Sequence, residues 1–378
     1  MIRFPDGLMA SGIGSIGNAD KAKLHEAMLY EKAEKPPGKK AVNCRLCSHY
    51  CVICDGNLGF CSVRANLGGK LYSLSYGKAT GMAMDPVEKK PFFHYKPGTQ
   101  CLSFGTPGCN MRCLNCQNWF MSQGPREAKT AMEAFGFKET PPKKIAQLAV
   151  EYKADGVAYT YSEPAIFFEY ARDTIKETKK IAPEKYHVFV SNGYFSKECF
   201  GAIKKEKLLD AIRIDLKFFN DKKYRQVTGA GLEPVLESIK RVHASPMHLE
   251  VICLVIPTLS DDPDELREMC KWLARLDKEL PVHFIRFFPC YKLGNLPPTP
   301  EETLLKAKAI AEEEGLQYVY AGNTEMPGVE NTKCPKCGTL LIERYGMGVI
   351  KNVWGASPAK ERKSPSCPAC GHKISIVL

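Results

Sequence analysis

A chain of 378 residues is too long for one small domain and suits a catalytic core of about 200–250 residues with appendages. It is 44% hydrophobic and 25% charged, yet no apolar run approaches the roughly 18 residues of a membrane span, and the first residues lack a basic-then-apolar signal, so the expected location is the cytoplasm. The formal charge is +11, and more than half of the excess lies in residues 331–378, where eight Lys/Arg face two Glu.

Taken in chain order, residues 21–33 have a helical pattern ending near Pro36-Pro37-Gly38. Residues 41–70 are rich in cysteine and glycine, and such a segment buries little without a metal. Cys44-x2-Cys47-x3-Cys51-x9-Cys61 offers four thiolates, with Cys54 spare; zinc and an auxiliary iron–sulfur cluster both fit. His49, beside Cys51, is expected to support that set or face solvent.

From about residue 100 short apolar runs at 101–104, 157–161, 187–191, 211–217, 248–256, 283–288 and 317–321 alternate with helical stretches. The helices are expected near 164–181, 196–207, 232–243, 262–279 and 300–314, and another starts at Thr140-Pro141. The alternation predicts an α/β fold, a whole or partial (β/α) barrel with chemistry at the C-terminal strand ends; an open doubly wound sheet is the alternative. The expected units are an N-terminal module over 1–90, the barrel over 91–330 and a C-terminal module over 331–378.

The first barrel strand and the turn 105–108 lead into Cys109-Asn-Met-Arg-Cys113-Leu-Asn-Cys116. Three thiolates are one short for a structural zinc site or an ordinary four-iron cluster. A missing ligand is what the chemistry requires if one iron must bind a substrate. Cys101, Cys199, Cys253, Cys270 and Cys290 stand singly and are expected to be small apolar fillers. Cys334-Pro-Lys-Cys337-Gly and Cys367-Pro-Ala-Cys370-Gly are paired knuckles that aim four thiolates at one ion, zinc in a zinc ribbon or iron in a rubredoxin-like site. The basic residues around them allow a competing class of function, a zinc-ribbon module that binds nucleic acid; without interleaved aromatics, a solvated basic face is favoured.

The C-x3-C-x2-C loop is the motif of the radical S-adenosylmethionine (SAM) superfamily, which the chain resembles over roughly residues 95–325. The resemblance implies a [4Fe–4S] cluster on Cys109, Cys113 and Cys116 with SAM on the fourth iron. It further implies reductive cleavage to a 5′-deoxyadenosyl radical, hydrogen abstraction from a substrate, and a low-potential electron donor of ferredoxin or flavodoxin type. Tyr159-Thr160-Tyr161-Ser162-Glu163-Pro164 stands where relatives hold the SAM amino group, with Glu163 as its counter-charge. Ser191-Asn192-Gly193 resembles the patch that contacts the methionine carboxylate or ribose, Asp215-Leu216-Lys217 matches a ribose and carboxylate motif, and Val255-Ile256-Pro257 is expected to border the adenine. Many relatives carry an aromatic residue just before the third cysteine; here it is Asn115, leaving Leu114, Met111 or Trp119 to pack near the adenine.

Asp85-Pro-Val-Glu-Lys-Lys-Pro-Phe-Phe-His94, Cys116-Gln-Asn-Trp119, Arg286-Phe-Phe-Pro289, Leu296-Pro-Pro-Thr299 and Val319-Tyr-Ala-Gly-Asn323 resemble one subfamily, the AmmeMemoRadiSam-system radical enzymes, related to activators of pyruvate formate-lyase. This implies Memo-type and AMMECR-type partners, with a glycyl-radical-enzyme activating protein as the alternative role. Lys90, His94 and Arg286 are candidates for the substrate pocket, although a plain ion pair or a satisfied histidine is the simpler reading of each.

Overall fold

The computed structural model describes residues 24–34, 40–127, 139–355 and 365–378. The first of these segments forms strands. β1 (His25–Glu26) pairs with β6 (Lys70–Ser73), which pairs with β5 (Arg64–Leu67); β2 (Tyr30–Lys32), β3 (Val42–Cys44) and β4 (Val52–Ile53) form a second small antiparallel sheet. The helix expected over 21–33 is therefore corrected for its described part: pairing to the Cys-rich segment overrides the helix propensity of its Ala, Leu, Glu and Lys residues. Residues 21–23 lie outside the described residues.

Seven strands then run parallel in strict chain order: β8 (Gln100–Gly105), β9 (Gly156–Tyr159), β10 (Tyr186–Ser191), β11 (Ala211–Asp215), β12 (His248–Val255), β13 (Val282–Arg286) and β14 (Val319–Gly322). Their Val, Ile, Phe and Tyr residues are buried from both faces, as expected of a parallel sheet covered by helices. β7 (Thr80–Pro86) adds an antiparallel edge beside β8, so the sheet begins about ten residues before residue 91. Among the described residues no ladder joins β7 to β14, so the barrel is partial and open, and the full barrel is not formed. A doubly wound sheet would reverse its strand order at a switch point, which this order does not.

The helices are α1 (Trp119–Glu127), α2 (Pro142–Glu151), α3 (Phe168–Ile181), α4 (Lys197–Lys205), α5 (Asp221–Thr228), α6 (Glu233–His243), α7 (Pro263–Leu276) and α8 (Glu301–Glu313). α1 and α5 were not expected from the sequence. α2 is entered from Pro141 rather than capped by Thr140, and a 3-10 turn (Pro164–Phe167) precedes α3. Ser196 and Asp262 cap α4 and α7 through side-chain oxygens, which fixes where these helices leave the strand ends.

β15 (Thr332–Lys333), β16 (Leu340–Tyr345) and β17 (Gly348–Asn352) form the C-terminal sheet, turned at Gly346-Met347 with both φ angles positive. This module shares a core with the barrel, in which Phe93, Tyr318 and Tyr320 pack with Leu341, Ile342, Ile374 and Ile376. Tyr95 bridges to Val377, and Arg344 donates to the Phe93 carbonyl at 2.7 Å and pairs with Glu88. The N-terminal module is joined to α3 by a buried ion pair, Arg64 to Glu169, at 3.0 Å.

Candidate active site

β8 delivers the chain to a turn that only glycine tolerates. Gly108 has φ +92, and a Cβ there would meet Val63 Cγ1 at 2.5 Å and the Cys61 carbonyl oxygen at 2.9 Å. The next residues carry the three cysteines. Cys109 and Cys113 are buried and Cys116 is half-buried. The loop is held from several sides. Arg112 N–H donates to Thr228 O at 2.7 Å and Leu114 N–H to Val227 O at 3.0 Å, both at the end of α5. Ser122 on α1 lies 3.1 Å from Cys116 Sγ, and the Cys290 thiol donates to the Cys116 carbonyl at 3.4 Å. Cys290 is thus a loop contact rather than the expected filler, whereas Cys101, Cys199, Cys253 and Cys270 are buried as fillers.

Burial pushes the Cys113 thiol up to about 12, drives Cys109 well above its ordinary value and raises Cys116. Thiols this desolvated ionise only when a cation arrives, as iron–sulfur ligands do.

A cavity of about 1140 Å³ extends from these cysteines. Its lining includes Ser162, Asn192, Asp215 and Lys217. Asn192 Nδ2 donates to Asn110 Oδ1 at 2.8 Å and lies 3.8 Å from Cys109 Sγ. Asp215 stands between two cations, with Arg213 Nη1 and Lys217 Nζ each 2.8 Å away. Burial alone would raise the Asp215 carboxyl; Arg213 and Lys217 outweigh it and hold it below the usual range. The triad carries one net positive charge into the cavity, a site for an anionic group. Arg213 was missed in the sequence, although residues 213, 215 and 217 share one side of a strand by period-two alternation.

Glu163 occupies a different place from the one its motif implied. It is 1% exposed and does not line the cavity. Oε1 accepts from Ala165 N–H at 3.0 Å and Ser191 Oγ–H at 2.8 Å, and Oε2 accepts from Asn192 N–H at 2.7 Å. Burial pushes its carboxyl up to about 7 against these three donors. Its role in the fold is to fix the β10 loop that presents Asn192.

Of the adenine candidates, Met111 is fully buried, while Trp119 stacks on Tyr291 with centroids 5.4 Å apart. Ile252 and Leu254 line the cavity, whereas Val255 and Ile256 lie in the core. Asn115 lines the cavity too, and its Oδ1 is buried without a protein partner. The cavity is also lined by Lys90, Arg286, Glu301, Glu330 and Met347. Asp85 binds Lys90 at 2.6 Å and Tyr161 Oη–H at 2.7 Å. His94 stands outside the cavity, fully buried: the Ser375 carbonyl can only accept, so Nδ1 donates to it at 2.6 Å and Nε2 accepts from Tyr320 Oη–H at 2.5 Å.

At the C-terminal module the Cys334, Cys337, Cys367 and Cys370 sulfurs all lie within 4.8 Å of one another, with Cys334–Cys370 and Cys337–Cys367 at 3.7 Å. Metal–sulfur bonds of about 2.3 Å in a tetrahedron separate sulfurs by roughly 3.8 Å, so the four thiols fit one ion, zinc or iron.

The three-thiol donor set, the orphaned Asn115 oxygen and the cationic triad fit a cluster with SAM on its open iron. Known proteins are similar to this chain over the same stretch. The Radical SAM superfamily matches residues 104–273. An uncharacterized protein of Methanocaldococcus jannaschii is 42% identical over 94% of this chain and 100% of its own length. The pyruvate formate-lyase 1-activating enzyme of Escherichia coli (strain K12) is 25% identical over 59% of this chain and 93% of its own. The pyruvate formate-lyase-activating enzyme of Clostridium pasteurianum is 23% identical over 52% and 78%. An open parallel barrel that carries a three-cysteine loop at the end of its first strand, and the match of that stretch to the family, place this chain in the radical SAM superfamily as one of its enzymes.

Proposed function

We propose that this radical SAM enzyme cleaves SAM reductively and uses the resulting 5′-deoxyadenosyl radical to abstract hydrogen from a second molecule held at the far end of the same cavity. The observation that carries the reading is the continuity of that cavity, from Cys109, Cys113 and Cys116 past Asp215 to Lys90 and Arg286. Cys109, Cys113 and Cys116 would hold a [4Fe–4S] cluster, which would supply the electron for reductive cleavage of the sulfonium bond.

The chain's own groups do the rest. Asn192, pinned by Glu163, is available to the methionyl group beside Cys109. The Arg213–Asp215–Lys217 triad offers cations to the carboxylate and a carboxylate to ribose hydroxyls. Asn115 Oδ1 offers an acceptor where relatives have an aromatic ring. The β16–β17 turn and residues 88–90 add to the wall of the cavity.

Likeness to two pyruvate formate-lyase activating enzymes supports a second reading, in which the hydrogen donor is a glycine of a partner protein. The sequence resemblance supports Memo-type and AMMECR-type partners, a ferredoxin or flavodoxin donor and a cytoplasmic setting; no helix among the described residues is long and apolar enough to cross a membrane.

Anaerobic reconstitution with dithionite and SAM should give 5′-deoxyadenosine and methionine, read by chromatography. Cys113→Ala should abolish both products, and Cys101→Ala, buried away from the cavity, should not. Product that survives loss of Cys113 overturns the proposal.

A further inference from the structure

The N-terminal module carries four cysteines that the active site does not use. Cys44 ends β3, and its N–H donates to the Cys51 carbonyl at 2.9 Å; the Tyr50 N–H closes a turn onto the Cys47 carbonyl at 3.0 Å. Cys44, Cys47 and Cys61 are buried, and Cys51 packs against the same core. The pairing of Cys44 with Cys51 and the turn at Cys47 bring three of these cysteines into one loop, and Cys61 is buried in the core that Cys44 joins.

Their spacing separates two kinds of metal centre. Among the described residues, the C-terminal quartet is the one group of three or more such ligand atoms that lies mutually within 4.8 Å, as a single tetrahedral ion requires. Neither the N-terminal quartet nor the trio Cys109, Cys113 and Cys116 forms such a group. Thiols that surround an inorganic core of several irons must stand further apart than thiols that meet at one ion. The trio leaves one iron open; the quartet supplies all four ligands of a closed cluster.

The two sets share a wall. His49 Nε2 donates to the Asn110 carbonyl at 2.8 Å, and Arg126 Nη2 donates to the Phe60 carbonyl at 2.7 Å and lies 3.5 Å from the Cys109 carbonyl. Gly108 packs on Val63 and on the Cys61 carbonyl. We infer that Cys44, Cys47, Cys51 and Cys61 hold a second, fully ligated iron–sulfur cluster, seated directly behind the loop that carries the first. The inference uses the active-site reading only as a yardstick for sulfur spacing.

The test uses the full chain with Cys109→Ala, Cys113→Ala and Cys116→Ala together, reconstituted anaerobically with iron and sulfide and checked for folding by circular dichroism. It should remain brown, carry acid-labile sulfide in amount equal to its non-rubredoxin iron, and give a paramagnetic signal on reduction with dithionite. Adding Cys44→Ala and Cys61→Ala should remove the sulfide and the signal, whereas adding Cys54→Ala should leave both. A folded triple variant with zinc but no sulfide overturns the inference, and so does loss of the cluster through Cys54→Ala alone. If the triple variant does not fold, the wild-type chain decides: sulfide clearly beyond one four-iron cluster supports the inference, and sulfide for one cluster refutes it. None of these readouts depends on SAM cleavage, so failure of the second cluster and failure of the proposed reaction are distinguishable.

Discussion

His94 shows how a single residue ties the ends of the molecule together. Burial pushes its imidazole down to about 3, and His187, equally buried beside Tyr159, is also held at about 3. Both stay neutral in the fold but accept a proton near pH 6.5 once unfolded. Their contribution to stability is therefore complete above pH 6.5 and is lost as pH falls from 6.5 towards 3, at up to about 1.4 kcal/mol per pH unit for each. Urea unfolding at pH 7, 6 and 5 should show this slope, and His94→Gln should flatten it by about one such increment. An unchanged slope would mean that His94 is not held neutral. The residue scale is also where the sequence reading was least complete. Glu163 was expected at the cofactor because its motif places a carboxylate after a strand; that Ser191 and Asn192 also donate to it depends on the β9–β10 register, which no local pattern reveals. Arg213, by contrast, was within reach, since it stands two residues before Asp215 on the same side of β11.

At the scale of elements, Gly108 is the position where backbone and packing both demand a missing side chain. Gly108→Ala should cost roughly 2–4 kcal/mol, from the positive φ and from overpacking against Val63. Chemical denaturation measures the loss, and a change below about 1 kcal/mol would show that the loop relaxes freely. The seven parallel strands were legible because each is a short, mostly apolar run bounded by helix starts, as in Tyr186–Ser191 and His248–Val255. β1, β2 and β7 were not, since two or three residues carry no period, and Thr-Gly-Met-Ala-Met-Asp-Pro acquires its role only by pairing with β8. α5 was hidden for the opposite reason: Asp-Lys-Lys-Tyr-Arg-Gln-Val-Thr is too polar to display an apolar stripe, yet its Tyr224 is fully buried.

At the scale of the whole molecule, the C-terminal group of four cysteines belongs to the barrel's structure. Cys334 and Cys367 are buried in the core that contains Phe93, Tyr318 and Tyr320, so this knuckle pair is not a tethered appendage. Replacing Cys337 and Cys370 with Ser should therefore lower the melting of the barrel itself, by at least roughly 5 °C for a loss of a few kcal/mol. Scanning calorimetry reads this, and a barrel transition that does not move would show the module to be thermally independent.

The strap at residues 88–96 and the last barrel strand, β14, meet across the C-terminal module, and this sets an order of events on the ribosome. Every barrel strand emerges before the residues that cover Phe93, Tyr318 and Tyr320. During that interval the nascent sheet keeps both edges and an aromatic patch exposed, the surfaces that chaperones recognise and that aggregate when translation outruns protection. Folding of the C-terminal module onto Phe93, Tyr318 and Tyr320 covers that patch and closes the interval.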